Sequence, residues 1–285
     1  MANLEVRALD APFGAEVFGV DPAVLDDDAR RTLQEAFDEH GVLVFHDIDF
    51  TYATQQHFVE MLVRESMSEG DEELELKPSA YVSNREDGAT SASGRILFHT
   101  DGMWSEDPFK LVSLYAVSVE KGASPTIFAS MTRAWETLPA DLRARVEGLH
   151  VVQSQGTNRG KQADDKGLTI DPRASGVSRV TPLGLVHPRT GKTVLYVSEQ
   201  QTREVVELPE DESNALLDAL LDHLYDPVNL LEYQWRDGDF VAWDNLAVQH
   251  ARPDVPMDGP TRTLRRAVVP PSWLWGEYQQ YAASS

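Results

Sequence analysis

The chain lacks cysteine, long apolar runs and an excess of positive charge, and each absence excludes a class of function. With no cysteine in 285 residues there is no disulfide, no thiol nucleophile and no thiolate ligand for zinc or an iron–sulfur cluster. No stretch approaches the roughly 18 apolar residues of a membrane span, so we expect no membrane partner. The 47 acidic residues outnumber the 25 basic ones and give a net charge of −22. This charge argues against nucleic acid as a partner, because binding to phosphates requires dense Lys and Arg.

The amino-terminal residues also lack a basic segment followed by an apolar one. We therefore expect no secretory signal and a cytoplasmic location. A β-barrel or β-sandwich of this length often forms one domain, and no repeat, linker or shift in composition divides the chain. We predict a single domain over residues 1–285, and the sequence leaves the oligomeric state open, a homo-oligomer included.

Hydrophobic periodicity predicts many short strands and a few helices around a β-sandwich or barrel. The predicted strands lie within residues 6–20, 42–45, 81–83, 111–119, 126–128, 193–197, 230–235, 240–243, 248–251 and 261–269. The predicted helices begin near residues 28, 51 or 54, 132, 139 and 210. Asp27 or Asp28 is expected to cap the first helix. Residues 230–243, with Asp237-Gly238 in the middle, have the form of a hairpin.

Two polar, Gly-containing segments, residues 68–96 and 153–185, are predicted to be active-site loops. The first of these loops leads into His99-Thr100-Asp101. Side chains at alternate strand positions face the same side, so His99 and Asp101 can share one ion. With His250 they supply the two imidazoles and one carboxylate of a mononuclear non-heme Fe(II) site. The pair Asp244-Asn245 offers hydrogen bonds that orient such imidazoles.

Other interpretations of these residues remain open at this point. His99 and Asp101 also fit a hydrogen-bonded surface pair, and His250 fits a structural core histidine. Near the carboxyl end, the alternation from Thr261 to Val268 places Arg262 and Arg266 on one face, about 13 Å apart. Such arginines require anions, either Asp and Glu side chains in structural salt bridges or carboxylates of small molecules.

Taken together and in order, these motifs resemble the TauD/TfdA family of Fe(II)/2-oxoglutarate-dependent dioxygenases. The resemblance begins at residues 14–21 and continues to the final strand, so it covers nearly the whole chain. The motifs that carry it are His99-x-Asp101, Thr126 within residues 122–131, His187-Pro188-x-Thr190-Gly191, Trp243-Asp244-Asn245-x4-His250 and Arg262-x3-Arg266. The resemblance implies a mainly β fold with flanking helices (α+β), built on a double-stranded β-helix, or jelly-roll (cupin-like), core with helical insertions and lid loops.

The resemblance also implies roles for individual residues. His99, Asp101 and His250 are expected to bind Fe(II), and Arg262 with Thr126 the distal carboxylate of 2-oxoglutarate. The implied reaction consumes O2, converts 2-oxoglutarate to succinate and CO2, and oxidises a second substrate. Related halogenating enzymes replace the metal carboxylate by a small residue, so the presence of Asp101 favours hydroxylation.

The expected substrate is a small, anionic organic molecule whose charge meets Arg266. Taurine-type members carry an Asn four residues ahead of the first metal ligand and a His before the motif. Here Arg95 occupies the position of that Asn, and no His lies between His57 and His99, so taurine itself is not expected. The candidate substrate-binding residues are Arg266, Asn84, Met103, Trp104 and Arg95, with Phe109 as a further candidate, although Trp104 and Phe109 equally suit core packing.

Two alternative functions from other classes use the same residues. A zinc-dependent hydrolase could use the same two histidines and aspartate with a bound water. A non-catalytic jelly-roll binding protein would keep them as structural residues. Arg262 with Thr126 favours the dioxygenase, because a hydrolase has no need of a dedicated dicarboxylate clamp.

Overall fold

The computed structural model describes residues 4–22, 24–67, 76–155, 157–158, 169–170 and 177–271. Within these ranges short strands greatly outnumber helices. The strands are β1 (Glu5–Ala8), β2 (Ala15–Phe18), β3 (Val42–Phe45), β4 (Tyr81–Ser83), β5 (Ile96–His99), β6 (Leu111–Val119), β7 (Thr126–Ser130), β8 (His150–Ser154), β9 (Thr157–Asn158), β10 (Thr169–Ile170), β11 (Ser178–Pro182), β12 (Gly184–Val186), β13 (Thr193–Leu195), β14 (Thr202–Val205), β15 (Leu230–Tyr233), β16 (Phe240–Asp244), β17 (Val248–Arg252) and β18 (Arg262–Val269). The helices are α1 (Asp27–His40), α2 (Tyr52–Leu62), α3 (Met131–Glu136), α4 (Ala140–Val146) and α5 (Glu210–Leu224), with 3-10 turns at Pro78–Ala80 and Pro227–Asn229.

Two sheets form the body of the protein. One has seven strands in the order β1-β2-β3-β16-β6-β18-β4, and the other has four in the order β15-β7-β17-β5. Apolar side chains from both sheets form one buried cluster, in which Leu114 and Trp243 from the first meet Phe128 and Val248 from the second. The two sheets are therefore packed face to face as a sandwich, since each must bury its apolar face against another layer.

Helices α1 and α2 cover the outer face of the seven-stranded sheet, where Phe37 and Phe58 pack with Phe240. The side chain of Asp26, not that of Asp27 or Asp28, caps α1 by accepting from the Ala29 amide at 2.8 Å. The cap prediction was wrong by one residue. Asp27 and Asp28 instead lie in the first helical turn, where negative charge is favourable because of the helix dipole.

The outer face of the four-stranded sheet is covered by α3, α5 and strands β12 and β13. Met131, Val194 and Leu220 lie in the buried cluster between these elements and the sheet. Both sheets of the sandwich are thus buried on two sides over much of their area. Such strands read as continuous apolar runs, as β3 does with Val-Leu-Val-Phe.

The hairpin predicted for residues 230–243 does not form. Strand β15 pairs with β7 in the four-stranded sheet, whereas β16 pairs with β3 and β6 in the other sheet. Between them Asp237 accepts from the Val119 amide at 2.5 Å, and Gly238 has a positive φ of 77°. The Asp-Gly turn therefore carries the chain from one layer to the other, and alternation alone cannot distinguish this corner from a hairpin.

The two predicted loops are only partly loops. Residues 68–75 of the first lie outside the described residues, and its remainder includes a 3-10 turn and the edge strand β4. In the second, β11 pairs with β8, while residues 156, 159–168 and 171–176 lie outside the described part. Across the residues that are described, no helix is both long and apolar enough to cross a membrane.

Candidate active site

A cavity of about 230 Å³ opens between the two sheets. Both layers and the segments that connect them contribute to its walls. The four-stranded sheet supplies Ile96, His99, Thr126, His250, Ala251 and Arg252; the seven-stranded sheet supplies Val82, Val112, Leu114, Trp243, Arg262 and Arg266; connecting segments supply Thr90, Ser91, Asp101 and Gln200. The structure thus brings together all five residues predicted to bind metal and 2-oxoglutarate.

Strand register places the two histidines side by side. His99 of β5 and His250 of β17 are direct cross-strand partners, and their ring centroids are 4.1 Å apart. The Nδ1 atom of His99 is 2.8 Å from the Leu97 carbonyl, to which it donates. This hydrogen bond fixes the tautomer and leaves Nε2 of His99 free to accept a metal ion.

Asp101 completes the set from a turn that follows β5. Its Oδ1 atom lies 3.3 Å from Nε2 of His99 and 4.0 Å from Nε2 of His250. The three potential ligand atoms all lie within 4.8 Å of one another. The prediction that His99 and Asp101 meet is confirmed, although Asp101 lies beyond the strand, so strand alternation is not the reason.

Two side-chain amides hold this turn in place. Asn245 donates to the Asp101 carbonyl at 2.9 Å and accepts from the Asp101 amide at 3.0 Å. Gln201 makes the same pair of bonds with Thr100, at 2.8 and 3.1 Å. Each side-chain amide therefore makes, with one residue of the motif, the two backbone hydrogen bonds that a neighbouring strand would otherwise make. The role of Gln201 was not predicted from the sequence.

The expected role of Asp244-Asn245 at the imidazoles is wrong. Asp244 accepts from the buried His187 at 3.1 Å and from Arg189, which ties the β12–β13 region to the end of β16. Nδ1 of His250 is buried and has no hydrogen-bond partner. Asn245 orients Asp101 through its backbone, and no hydrogen bond joins Asp244 or Asn245 to the imidazole of His99 or His250 among the described residues.

The protonation states of Asp101 and His250 suit a divalent cation. Burial opposes ionisation of Asp101, but the contacts with His99, His250 and the Arg266 guanidinium outweigh burial and hold the pKa of Asp101 well below its usual range. Burial is the main cause that lowers the pKa of His250 to about 3. Near pH 7 the site therefore offers an ionised carboxylate and a neutral imidazole at His250, which are the forms that bind metal.

Arg262 is a buried cation without a carboxylate partner. Its side chain donates to the Ser124 carbonyl at 2.9 Å and to Thr126 Oγ1 at 3.0 Å, while Nη1 is buried and unpartnered. Burial, and then the neighbouring Arg252, lower its pKa to about 9. No ion pair to Arg262 is found among the described residues, so the structural salt-bridge interpretation fails for this arginine. An anionic ligand would satisfy the Nη1 donor.

Thr126 has its own hydroxyl proton available as a donor. Its Oγ1 atom accepts from Arg262 and also from the Trp235 indole at 3.0 Å. A hydroxyl that accepts two hydrogen bonds keeps its own proton as a donor. Arg262 Nη1 and the Thr126 proton together provide two donors for one carboxylate, beside the three potential metal ligands.

Comparison with known proteins agrees with this geometry. A family model described as "Taurine catabolism dioxygenase TauD, TfdA family" matches residues 5–268. The chain belongs to this family. The resemblance inferred from the motifs is confirmed, as is the prediction of an oxygenase enzyme.

Relatives within the TauD/TfdA family act on different substrates. The chain is 30% identical over 263 residues to "(S)-phenoxypropionate/alpha-ketoglutarate-dioxygenase" of Sphingobium herbicidovorans, covering 86% of this chain and 88% of the relative. It is 29% identical over 268 residues to "Alpha-ketoglutarate-dependent sulfonate dioxygenase" of Saccharomyces cerevisiae, covering 88% of this chain but 63% of the relative. The crystal structure of a taurine dioxygenase from Burkholderia xenovorans superposes with a TM-score of 0.72 at 27% identity, over 93% of this chain and 90% of that one. The structural match confirms the mainly β, jelly-roll fold.

Of the residues predicted to bind the substrate of this TauD/TfdA enzyme, Arg266 alone lines the cavity. Its Nη1 atom donates to Asp101 Oδ2 at 3.2 Å, and 29% of its side chain is exposed. Asn84 is occupied with backbone groups, donating to Pro260 at 3.0 Å and accepting from Arg262 at 2.9 Å. Asn84 therefore fixes the start of β18 and lies outside the cavity wall.

The other candidates also lie outside the cavity wall. Met103 is fully buried in the apolar cluster behind the four-stranded sheet, and Trp104 is 8% exposed. Phe109 packs in the core between the sheets, in line with the packing interpretation, and Arg95 is exposed. Size and polarity of a residue near a motif do not reveal on which side of the chain its side chain emerges.

Arg252 is a cavity residue that the sequence analysis missed. Its guanidinium donates to the carbonyls of Ser91 at 2.7 Å, Ser93 at 3.2 Å and Gly94 at 2.8 Å. Burial is the main cause that lowers its pKa to about 10. It secures the segment that leads into β5. The sequence does contain an indication of this role. Arg252 lies two residues after His250, and residues at this spacing on a strand share one face.

Proposed function

We propose that this TauD/TfdA-family enzyme is an Fe(II)- and 2-oxoglutarate-dependent dioxygenase that hydroxylates a small anionic organic molecule, consuming O2 and producing succinate and CO2. The observation that carries the proposal is the unpartnered Arg262 Nη1, which faces the same cavity as His99, Asp101 and His250. A dicarboxylate clamp beside a two-His, one-carboxylate metal set is what this cosubstrate requires.

In this proposal His99, Asp101 and His250 hold the metal, and Arg262 with Thr126 holds the distal carboxylate of 2-oxoglutarate. When bound, iron and 2-oxoglutarate supply the oxidising chemistry that couples decarboxylation to oxidation of the substrate. The protein orients the reactants, and the apolar side chains of Val112 and Leu114 form part of the wall around them. Asn245 and Gln201 keep Asp101 aimed at the imidazoles.

The charge of the cavity supports an anionic substrate. The cavity is lined by three arginines, Arg252, Arg262 and Arg266. Among the described residues that line it, Asp101 is the one carboxylate. The charges of a divalent metal and of dianionic 2-oxoglutarate cancel, which leaves an excess of positive charge for the substrate. Arg266 is the proposed partner of that charge. Relatives named for a sulfonate and for a phenoxypropionate are consistent with it.

The hydrolase alternative predicts zinc and no use of 2-oxoglutarate, and it leaves Arg262 and Thr126 without a function. The non-catalytic alternative predicts that metal does not change thermal stability, whereas a ligand bound only by the native state raises it. A single domain over residues 1–285 and a cytoplasmic location, both expected from the sequence, remain part of the proposal.

The test measures succinate released from 2-oxoglutarate with Fe(II) and O2 across small carboxylates, sulfonates, phosphonates and amino-acid derivatives. We expect substrate-dependent succinate in the native protein and none in Asp101→Ala, because that variant loses one of three metal ligands. Thermal unfolding should show that the variant is folded, and Asp258→Ala, at an exposed position, should behave as the native protein does. Undiminished succinate from Asp101→Ala would overturn the metal assignment.

A further inference from the structure

Gln200 lines the cavity but has no part in the proposed binding of metal or 2-oxoglutarate. Several atoms of the cavity-lining residues are buried and have no hydrogen-bond partner: Trp243 Nε1, His250 Nδ1, Arg252 Nε, Arg262 Nη1 and Gln200 Oε1. The indole and guanidinium nitrogens are donors, and so is Nδ1 of a neutral histidine that binds metal through Nε2. Gln200 Oε1 is therefore the one acceptor in this set.

The neighbours of Gln200 place this residue at the cavity wall. Glu199 accepts from the Phe98 amide at 2.8 Å, and Gln201 bonds to both backbone groups of Thr100. Residues 199 and 201 are thus both turned toward the free edge of β5. Gln200 stands between them and is the residue of the three that lines the cavity.

The backbone at this position is also fixed. The Gln200 amide donates to Ser198 Oγ at 3.2 Å, and that hydroxyl donates to the Phe98 carbonyl at 2.8 Å. The Glu199 amide is held in turn by the Tyr225 hydroxyl at 3.1 Å. The backbone that carries the Gln200 side chain is thus anchored, which lowers the cost of ordering it when a ligand binds.

A buried carbonyl oxygen without a donor costs free energy, and a ligand that supplies the donor recovers it. A dicarboxylate cannot do so, because it carries acceptors only at neutral pH. We propose that Gln200 is a specificity-determining residue that accepts a hydrogen bond from the substrate to be oxidised. The preferred substrates are then small anions that carry a hydroxyl, amine or amide N–H in addition to the anionic group. The inference rests on the proposed function, which assigns the metal and 2-oxoglutarate to the other polar groups.

The test uses pairs of probes that differ by one donor, namely 3-hydroxypropanesulfonate with propanesulfonate and 4-hydroxyphenoxyacetate with phenoxyacetate. Binding is measured by calorimetry to the protein loaded with Mn(II) and N-oxalylglycine, so that no turnover is needed. We expect the native protein to prefer the hydroxylated member of at least one pair by about tenfold, the effect of one net hydrogen bond. Gln200→Leu should abolish that preference.

Two further variants sharpen the result. Gln200→Glu retains an acceptor, and the effect of its added charge cancels within a pair, so it should keep the preference. Gln234→Leu, at an exposed position, should behave as the native protein does. The proposal is overturned if the native protein shows no donor preference, if Gln200→Leu retains it, or if Gln200→Leu loses Mn(II) affinity instead, which would make Gln200 a metal ligand.

Succinate release from the same probes with Fe(II) and 2-oxoglutarate is recorded separately. A donor preference in binding without any succinate would contradict the proposed function and leave Gln200 as an acceptor for a bound anion. Succinate release with no difference between the members of any pair, in binding or in rate, would contradict the role of Gln200 and leave the proposed function standing.

Discussion

The two ends of the cavity are built in different ways. At the dicarboxylate end, Thr126 and Arg262 are strand residues of β7 and β18, each fixed by pairing with neighbouring strands. At the metal end, His99 and His250 face each other across two strands, but Asp101 lies in a turn. The position of Asp101 depends on single side chains, Asn245 and Gln201, rather than on a ladder of backbone hydrogen bonds.

The two ends therefore contribute different properties: the dicarboxylate end contributes ligand affinity, and the metal end contributes the placement of the potential metal ligands. Arg262 is held by neutral oxygens and is 2% exposed, so the energy of the dicarboxylate end resides in one buried charge. Arg266, on the same strand and face, is more exposed and contacts Asp101. Variants of Arg262 or Thr126 should therefore weaken the binding of the dicarboxylate. Variants of Asn245 or Gln201 should change the position of Asp101 relative to the two histidines.

Replacing the two arginines separately gives the largest expected contrast. Arg262→Ala should raise the 2-oxoglutarate concentration needed for half-maximal succinate formation about 100-fold, because it removes the buried charge that meets the carboxylate. Arg266→Ala, the matched control on the same face, should leave that concentration within about threefold and act mainly on the second substrate. Steady-state kinetics with each reactant varied in turn would measure both, and the opposite pattern would require the two roles to be exchanged.

The strand-built end was the more predictable from the sequence. Period-two alternation placed Arg262 and Arg266 on one face, and Arg265 indeed points to the other, where it donates to Gln55 at 2.9 Å. The pairing of Gln201 with Thr100 joins residues 101 positions apart through side-chain amides, and no periodicity encodes it. The same limit explains the wrong hairpin at residues 230–243, since alternation reports faces and not partners.

Removing the amides of the turn tests the positioning end. Asn245→Ala should lower metal affinity about tenfold, because changes to groups that orient metal ligands typically have effects of this size. The control is Asn229→Ala, which removes an equally buried amide that donates to the His223 carbonyl of α5 at 2.9 Å rather than to a residue of the metal set. Both variants should lose stability, so the deciding quantity is Mn(II) affinity per folded molecule. Equal affinity in the two variants would show that Asn245 supports the fold without positioning Asp101.

The smallest expected effect concerns pH and the outer edge of β5. Burial raises the pKa of Glu199 to about 7, although the Phe98 amide and the charge of Arg95 oppose the shift. A carboxyl group whose pKa is higher in the folded than in the unfolded state stabilises the fold most when it is protonated. The contribution of Glu199 is therefore complete below pH 4.5, its ordinary pKa, and declines as the pH rises through 7.

Between pH 6 and pH 8 this decline should cost about 1 kcal/mol of unfolding free energy in the metal-free protein. His250, with a pKa of about 3, does not titrate in that window. Glu199→Gln keeps an oxygen for the Phe98 amide and removes the titration, so its unfolding free energy from urea denaturation should change less with pH over this range. Glu35→Gln, at an exposed position on α1, should keep the native slope. If Glu199→Gln also kept the native slope of unfolding free energy against pH, Glu199 would be ionised across the whole range from pH 6 to pH 8. The metal end would then be no more sensitive to pH than the dicarboxylate end.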